Sequence, residues 1–327
     1  MQYDNTVFGQ EAKQYSRLVY GTGNHAIMGE DEGAATACMD LAWEHGFTIF
    51  DTAHAYGNAE QNIGKWLTRR GHREEMVLFD KGCNPGQKGS EDIMSPELIR
   101  RQNEQSLDRL QTDYVDFYVL HRDEPGYPVE KIIDVLNELK GEGKIRRFGV
   151  SNWSLRRLQE ANEYAESNGL EGFSVYSPAY SLAVLSGDPW GRSVSLSGRE
   201  NADARKWCEE NHMPVFPYSA LARGFLSGKF RTDGEKPIGE CLWWAPIAEY
   251  DTTENRERLK RAEKMADEKG AAVSQIALAW LLHQPLAVYP IVSPSSDIHM
   301  EETCGALEVH LTEEECRWLL DGDNEPV

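Results

Sequence analysis

Phe47-Thr48-Ile49-Phe50-Asp51-Thr52-Ala53-His54-Ala55-Tyr56-Gly57 is the stretch on which the reading of this chain turns. A short apolar run ends at Asp51, and a tyrosine follows in the next turn of chain. Two further runs of the same make lie downstream: Met76-Val77-Leu78-Phe79 with Lys81 just past its end, and Val115-Asp116-Phe117-Tyr118-Val119-Leu120 with His121 next. Each has the length and the β-branched or aromatic content of a buried parallel strand. If the three belong to one barrel, a carboxylate, a phenol, an ammonium and an imidazole converge at its C-terminal mouth, where such barrels keep their active sites.

Working outward, strand-like and helix-like patterns alternate along the whole sequence. An N-terminal segment that could form a hairpin precedes Arg17-Leu18-Val19-Tyr20. Helical stretches are expected around 34–45, 59–70, from Pro96 with Ser95 as N-cap, and over 129–140, where Val129, Ile132, Ile133, Leu136 and Leu139 form one apolar face. Strands are expected at 147–150, 173–176, 215–218 and 288–292. Helices are expected at 155–166, 201–211, 254–268, 273–282, from His299, and at 312–320. Eight strands alternating with helices predict a (β/α)8 TIM barrel with an N-terminal hairpin and a C-terminal helix, one domain over 1–327. An open doubly wound sheet is the competing architecture, but Gly21-Thr22-Gly23 lacks the rest of a dinucleotide-binding glycine fingerprint.

Hydrophobic residues make up 40% of the 327, enough for a sizeable core, and the formal net charge of -20 argues against nucleic-acid or acidic-membrane partners. Cys38, Cys83, Cys208, Cys241, Cys304 and Cys316 show neither C-x-x-C spacing nor a small disulfide frame. They read as free thiols of a reducing compartment, with no metal cluster among them. The N-terminus has no apolar leader and no stretch has the length of a membrane span, so a cytoplasmic protein is expected.

The four strand-end residues suit proton transfer to a carbonyl oxygen. A tyrosine titrates near 10 and needs help to act as an acid at neutral pH. A neighbouring ammonium stabilises the phenolate, and a carboxylate can hold that ammonium in place. His121 could hydrogen-bond the carbonyl or relay the proton. No side chain supplies a hydride, so a nicotinamide cofactor has to bind nearby.

The residues also carry a family resemblance. Asp51-Thr52-Ala53-His54-Ala55-Tyr56-Gly57, with Glu60 following, resembles the D-T-A-x-x-Y-G signature of the aldo-keto reductases. Lys81 and Tyr118-Val119-Leu120-His121 complete that family's tetrad. Gly143-Lys144-Ile145-Arg146 leading to Gly149-Val150-Ser151-Asn152 is similar to its G-K-I-R-x-x-G-x-S-N segment. Pro217 to Gly224, ending in Ser227-Gly228-Lys229, is similar to its S-P-L-x-x-G loop. The matches run in order across nearly the whole chain. The resemblance implies reversible NAD(P)H-dependent reduction of an aldehyde or ketone, with Tyr56 as general acid, Lys81 and Asp51 as its tuning pair and His121 orienting the carbonyl. It further implies that Thr22 lies at the site, that Ser151 and Asn152 hold the nicotinamide carboxamide, that Tyr218 stacks on the ring, and that Ser219, Leu221, Arg223 and Lys229 line the pyrophosphate.

Two departures bear on the cofactor. Ser177 stands where family members commonly have a glutamine against the carboxamide. The segment after the last strand, where the family often places Lys and Arg for a 2′-phosphate, offers Ser293, Ser295, His299 and Thr303 with Asp297, Glu301 and Glu302 close by. None of these is a permanent cation. Family habit favours NADP(H), and the departure leaves NAD(H) open.

Trp153, Trp190, Trp243 and Trp244 fall in loops expected at the mouth, where they either stack on a sugar or other ring or pack the loops onto the barrel. His54 is either a substrate contact or an ordinary loop histidine. Trp66, Trp280 and Trp318 read as core. The expected substrate is a small carbonyl compound, a sugar or sugar derivative among the candidates. The alternative functions are a cofactor-binding redox-sensing subunit with slow turnover, and a Schiff-base aldolase using Lys81.

Overall fold

The computed structural model describes residues 1–5, 8, 13–85, 94–189, 191–323 and 326. Its chain contacts fall into two compact units, Tyr3–Ser177 and Pro178–Val327, the latter joined by Met1 and Gln2.

In the first unit the apolar runs become six parallel strands: β1 (Val19–Gly21), β2 (Ile49–Ala53), β3 (Val77–Gly82), β4 (Val115–Leu120), β5 (Ile145–Ser151) and β6 (Tyr176–Ser177). They pair in sequence order, each with the next. An antiparallel bridge between Tyr3 and Ser16 stands at the expected N-terminal hairpin. The crossovers are α1 (His25–Met28), α2 (Glu32–Glu44), α3 (Ala59–Arg70), α4 (Pro96–Leu110), α5 (Val129–Gly141) and α6 (Leu155–Ser167). Local chemistry sets their starts. Ser95 accepts from the Leu98 amide with Pro96 in the first turn of α4, and Ser154 caps α6 in the same way. The apolar stripe of α5 is wholly buried. Strands β1 to β4 are buried along their full length, as parallel strands covered on both faces must be.

The second unit holds α7 (Ala202–Glu210), α8 (Ile238–Cys241), α9 (Trp244–Tyr250), α10 (Thr253–Lys269), α11 (Val273–Leu282), strand β7 (Ile291–Val292), α12 (Asp297–Gly305) and α13 (Glu313–Asp321). Two expected strands are reduced here. The run 215–218 makes only bridges, Val215 with Val288 and Tyr218 with Ala179, and of 288–292 only Ile291–Val292 is regular strand. The runs still pair, through Val215 N–H to Ala287, Tyr289 N–H to Val215 and Ile291 N–H to Pro217. Pro217 and Pro290 interrupt the ladder because neither has an N–H to donate. The 173–176 strand is likewise displaced to Tyr176–Ser177, although Ser174 and Val175 already bond β5, and Pro178 follows. Helix α12 begins two residues before His299, since the Ser296 hydroxyl caps it. The long segment after Tyr218, expected as loop, contains α8 and α9.

Trp66, Trp280 and Trp318 are buried as expected, Trp66 and Trp280 donating their indole N–H to Asp40 and to the Cys316 carbonyl. All six cysteines are free thiols.

Candidate active site

All four strand-end residues lie in the first unit. Register puts Asp51 opposite Phe79 and Ala53 opposite Lys81, and strand alternation sends Asp51 and Lys81 to the same face. There Lys81 Nζ donates to Asp51 Oδ1 in a fully buried ion pair. Burial works against the ammonium, yet Asp51 and then Tyr56 outweigh it, so Lys81 holds its proton above the ordinary lysine value. The Thr22 hydroxyl, itself buried, donates to the Asp51 carbonyl at 2.9 Å and fixes the end of β2 against β1.

Tyr56 stands in the turn between β2 and α3, its ring centroid 5.5 Å from Lys81 Nζ and 5.8 Å from the His121 ring, which it meets edge to face. The phenol packs on Gly23, where an added Cβ would lie 3.2 Å from the ring. His121 is tied by its backbone N–H to Gly82 at 2.7 Å, and Asn84 Nδ2 lies 3.5 Å from its Nδ1. With Asn84 as donor to Nδ1, the assigned tautomer carries its proton on Nε2. Burial, followed by the Lys81 and Arg122 charges, pushes the imidazole well below its ordinary 6.5, so it is neutral at pH 7.

At the end of β5, Ser151 donates its hydroxyl to the Ser177 carbonyl at 2.6 Å. Asn152 adopts a left-handed φ of 59° and donates its amide to Ser151 Oγ at 3.0 Å and to the His121 carbonyl at 3.2 Å. The hydroxyl of Ser177 is buried with no hydrogen-bond partner among the described residues. A buried polar atom of this kind suits a bound group that brings a donor or acceptor to it. Trp153 is not at a surface. It is fully buried, packed against Phe173 with Arg157 over its face. His54 turns its Nε2 to Gln105 Oε1 at 3.0 Å, onto α4.

The second unit carries the remaining candidates. Tyr218 is half-buried, and after it Ser219, Ala222, Arg223 and Gly224 all have positive φ, at 54°, 49°, 53° and 100°. The turn closes on itself, the Ala222, Gly224 and Phe225 N–H groups donating to the Ser219, Leu221 and Ala222 carbonyls. Leu221 is half-buried there and Lys229 is exposed. Arg223 is not an open cation, for its Nε donates to the buried Glu249 of α9 at 2.6 Å. Ser293, Ser295 and His299 are exposed, whereas Thr303 is buried. Trp243 and Trp244 are 52% and 56% exposed, with ring centroids 5.6 Å apart. Trp190 lies outside the described residues.

Asn84, Gln105 and Glu249 enter the picture only through the structure. Each sits in a loop or helix with no periodic or motif signal to mark it. Among the described residues no group of three or more His, Cys, Asp or Glu is placed to hold a metal ion, and no helix is long and apolar enough to cross a membrane.

A parallel α/β unit that gathers Asp51, Tyr56, Lys81 and His121 on consecutive strand ends is the form in which one enzyme family presents its site. The aldo/keto reductase family model matches residues 17–319, and the chain belongs to that family. It is an oxidoreductase, of the family's (β/α)8 class. Among its relatives, the NADP(+) aldo-keto reductase yakc of Schizosaccharomyces pombe is 30% identical over 300 residues, covering 89% of this chain and 83% of its own length. The uncharacterized oxidoreductase YrpG of Bacillus subtilis is 30% identical over 97% of this chain and 94% of its own. A norsolorinic acid reductase of Aspergillus flavus is 29% identical over 94% and 76%.

Proposed function

We propose that the protein reversibly reduces a small polar carbonyl compound to the alcohol with NADP(H), Tyr56 serving as general acid. The observation that carries this reading is the placement of Tyr56 between the Lys81–Asp51 ion pair and the neutral His121. A bound nicotinamide would supply the hydride. The chain's own part is electrostatic and positional. Lys81 presents its charge to the phenol and favours the phenolate formed when the proton leaves, while Asp51 fixes the ammonium. His121, neutral and with Nε2–H free, holds the carbonyl oxygen next to the Tyr56 hydroxyl.

The orphaned Ser177 hydroxyl, with Ser151 and Asn152 beside it, fits a carboxamide, and its side chain is short enough for a water to complete the bond. In the second unit Tyr218 fits a flat ring, the Ser219 hydroxyl beside it a phosphate oxygen, and exposed Lys229 supplies a counter-charge. Preference for NADP(H) is supported by the name of the yakc relative. It is opposed by the segment 291–308, which contains no Lys or Arg, so Ser293, Ser295, His299 and Thr303 would bind a 2′-phosphate through neutral hydrogen bonds and NAD(H) would remain a usable substitute. The exposed Trp243–Trp244 pair supports a substrate with a ring or sugar face.

Titration of the protein with NADPH and with NADH, followed by quenching of tryptophan fluorescence, tests the reading. Saturable binding with NADPH the tighter is expected. Binding of neither by folded protein would refute it.

A further inference from the structure

Successive side chains of a strand point to opposite faces, so the residue before Lys81 is directed away from Tyr56, into the layer between β3 and its covering helices. That residue is Asp80, which has no solvent exposure. Register sets Thr52 of β2 and Tyr118 of β4 on either side of it. Buried Asn103 and Ser106, three apart on one face of α4, cover it from above, and Glu60 of α3, also buried, closes the group.

The donors beside Asp80 are neutral: the Thr52 and Ser106 hydroxyls and the Asn103 amide. Thr52 Oγ1, Glu60 Oε1, both Asp80 carboxyl oxygens, both Asn103 amide atoms and Ser106 Oγ are buried without a well-formed hydrogen bond. One cation serves it: Arg109 of α4 donates to the other Glu60 oxygen at 2.9 Å. It is brought there by the close approach of the two helices at Gly64, where an added Cβ would lie 2.3 Å from the Arg109 carbonyl. Lys81 spends its ammonium on the opposite face, on Asp51. An ionised Asp80 would therefore be a second buried carboxylate without a counter-ion, a condition proteins relieve by keeping the group neutral.

A single proton resolves most of the accounting. Buried Asp80 and Glu60 face each other closely enough that the Glu60 carboxylate acts directly on Asp80, and two carboxylates cannot bond each other without a proton between them. With the proton on Asp80, its hydroxyl donates to Glu60 Oε1, and Ser106 or the Asn103 amide donates to its carbonyl oxygen. We propose that Glu60 and Asp80 form a proton-sharing acid pair behind Lys81, its one negative charge taken by Arg109, and that this pair positions the Lys81 charge for Tyr56.

The proposal rests on the roles given above to Lys81 and Tyr56. The titratable and charged groups facing Asp80 are Glu60 from α3, Arg109 from α4, Tyr118 from β4, and Lys81 of its own strand. Burial pushes Asp80 well above the usual carboxyl range, and the Glu60 charge adds to it. Burial likewise keeps Tyr118 a neutral phenol. When Asp80 finally ionises, its proton passes to solvent and a new negative charge appears behind Lys81. The ammonium then favours the Tyr56 phenolate less, so Tyr56 keeps its proton, and its competence as an acid, to higher pH.

Infrared spectroscopy of the full-length protein without cofactor tests the pair. A carbonyl stretch of a protonated, hydrogen-bonded carboxylic acid is expected at neutral pH, disappearing as the pH is raised and absent from Asp80→Asn. In NADPH-dependent reduction of 4-nitrobenzaldehyde, the alkaline limb of kcat/KM should move down by about one pH unit in Asp80→Asn, which keeps a donor towards Glu60 but cannot develop the negative charge that holds the proton on Tyr56. No protonated-acid band at neutral pH overturns the pair. A band with an unmoved limb overturns its positioning role, since a purely structural aspartate would alter stability and leave the limb in place. If Asp80→Asn does not fold, the wild-type band and its loss with pH decide the matter. A band in a protein without reductase activity would uphold the pair and refute the functional reading beneath it.

Discussion

The rings of Tyr56 and His121 meet edge to face, centroids 5.8 Å apart and planes at 80°. Two polar ring edges held this way can reach one carbonyl oxygen between them, one as proton donor and one as hydrogen-bond donor. The backbone enforces the arrangement: Tyr56 rides on the turn after β2, and His121 is tied to Gly82 and, through Asn152, to the end of β5.

Lys81→Met should destabilise the protein by about 3–5 kcal/mol, because it leaves the Asp51 carboxylate buried without its partner. The double variant Lys81→Met/Asp51→Leu should recover most of that loss in denaturant unfolding while its turnover stays abolished. Equal stability of the single and double variants would show that the pair is not the buried unit described.

His121 should remain neutral well below pH 6.5, its ordinary value. Because its folded-state pKa is depressed, its contribution to stability is present above 6.5 and is lost as the pH falls through and below that value, where the unfolded chain takes up a proton that the native state refuses. Imidazole proton NMR across this range checks it. A His121 resonance titrating near 6.5 would contradict the burial argument.

Asp80 carries the opposite sign. Its folded-state pKa is raised by burial and by Glu60, so its contribution is full below 3.8, the ordinary carboxyl value, and is lost as the pH rises towards the folded value. The melting temperature of the wild type relative to Asp80→Asn should fall as the pH is raised from about 4 and then level off. A difference constant with pH would mean Asp80 is ionised throughout.

His299→Arg should tighten NADPH binding by about tenfold, the worth of one charge-assisted hydrogen bond to a phosphate, and leave NADH binding unchanged. Isothermal titration with both nucleotides measures it. Equal gains for the two would place His299 away from the 2′-phosphate.

What could be read from sequence was what simple periodicity or a fixed motif encodes. Asp51, Lys81 and His121 stand at or just past the ends of short strand-like runs, and Ser95 precedes a proline and a helical stripe. The runs at 215–218 and 288–292 were read as full strands because their composition is strand-like, but Pro217 and Pro290 leave only bridges and one short strand. Trp153 looked like a mouth residue because its neighbours Ser151 and Asn152 end a strand, yet it turns into the core against Phe173. The resemblance implies Arg223 at the pyrophosphate, and only the fold shows that Glu249 holds it. The Glu60–Asp80 neighbourhood depends on strand register and on helix packing at Gly64, two long-range facts that local pattern does not carry.

The account stands most directly on Tyr56. Reduction of 4-nitrobenzaldehyde by NADPH should be followed in a single turnover for the wild type and for Tyr56→Phe, both shown by fluorescence to bind the nucleotide. The account predicts a loss of about 10²–10⁴-fold in the variant's rate with nucleotide affinity retained. A Tyr56→Phe enzyme reducing the aldehyde at the wild-type rate would contradict it.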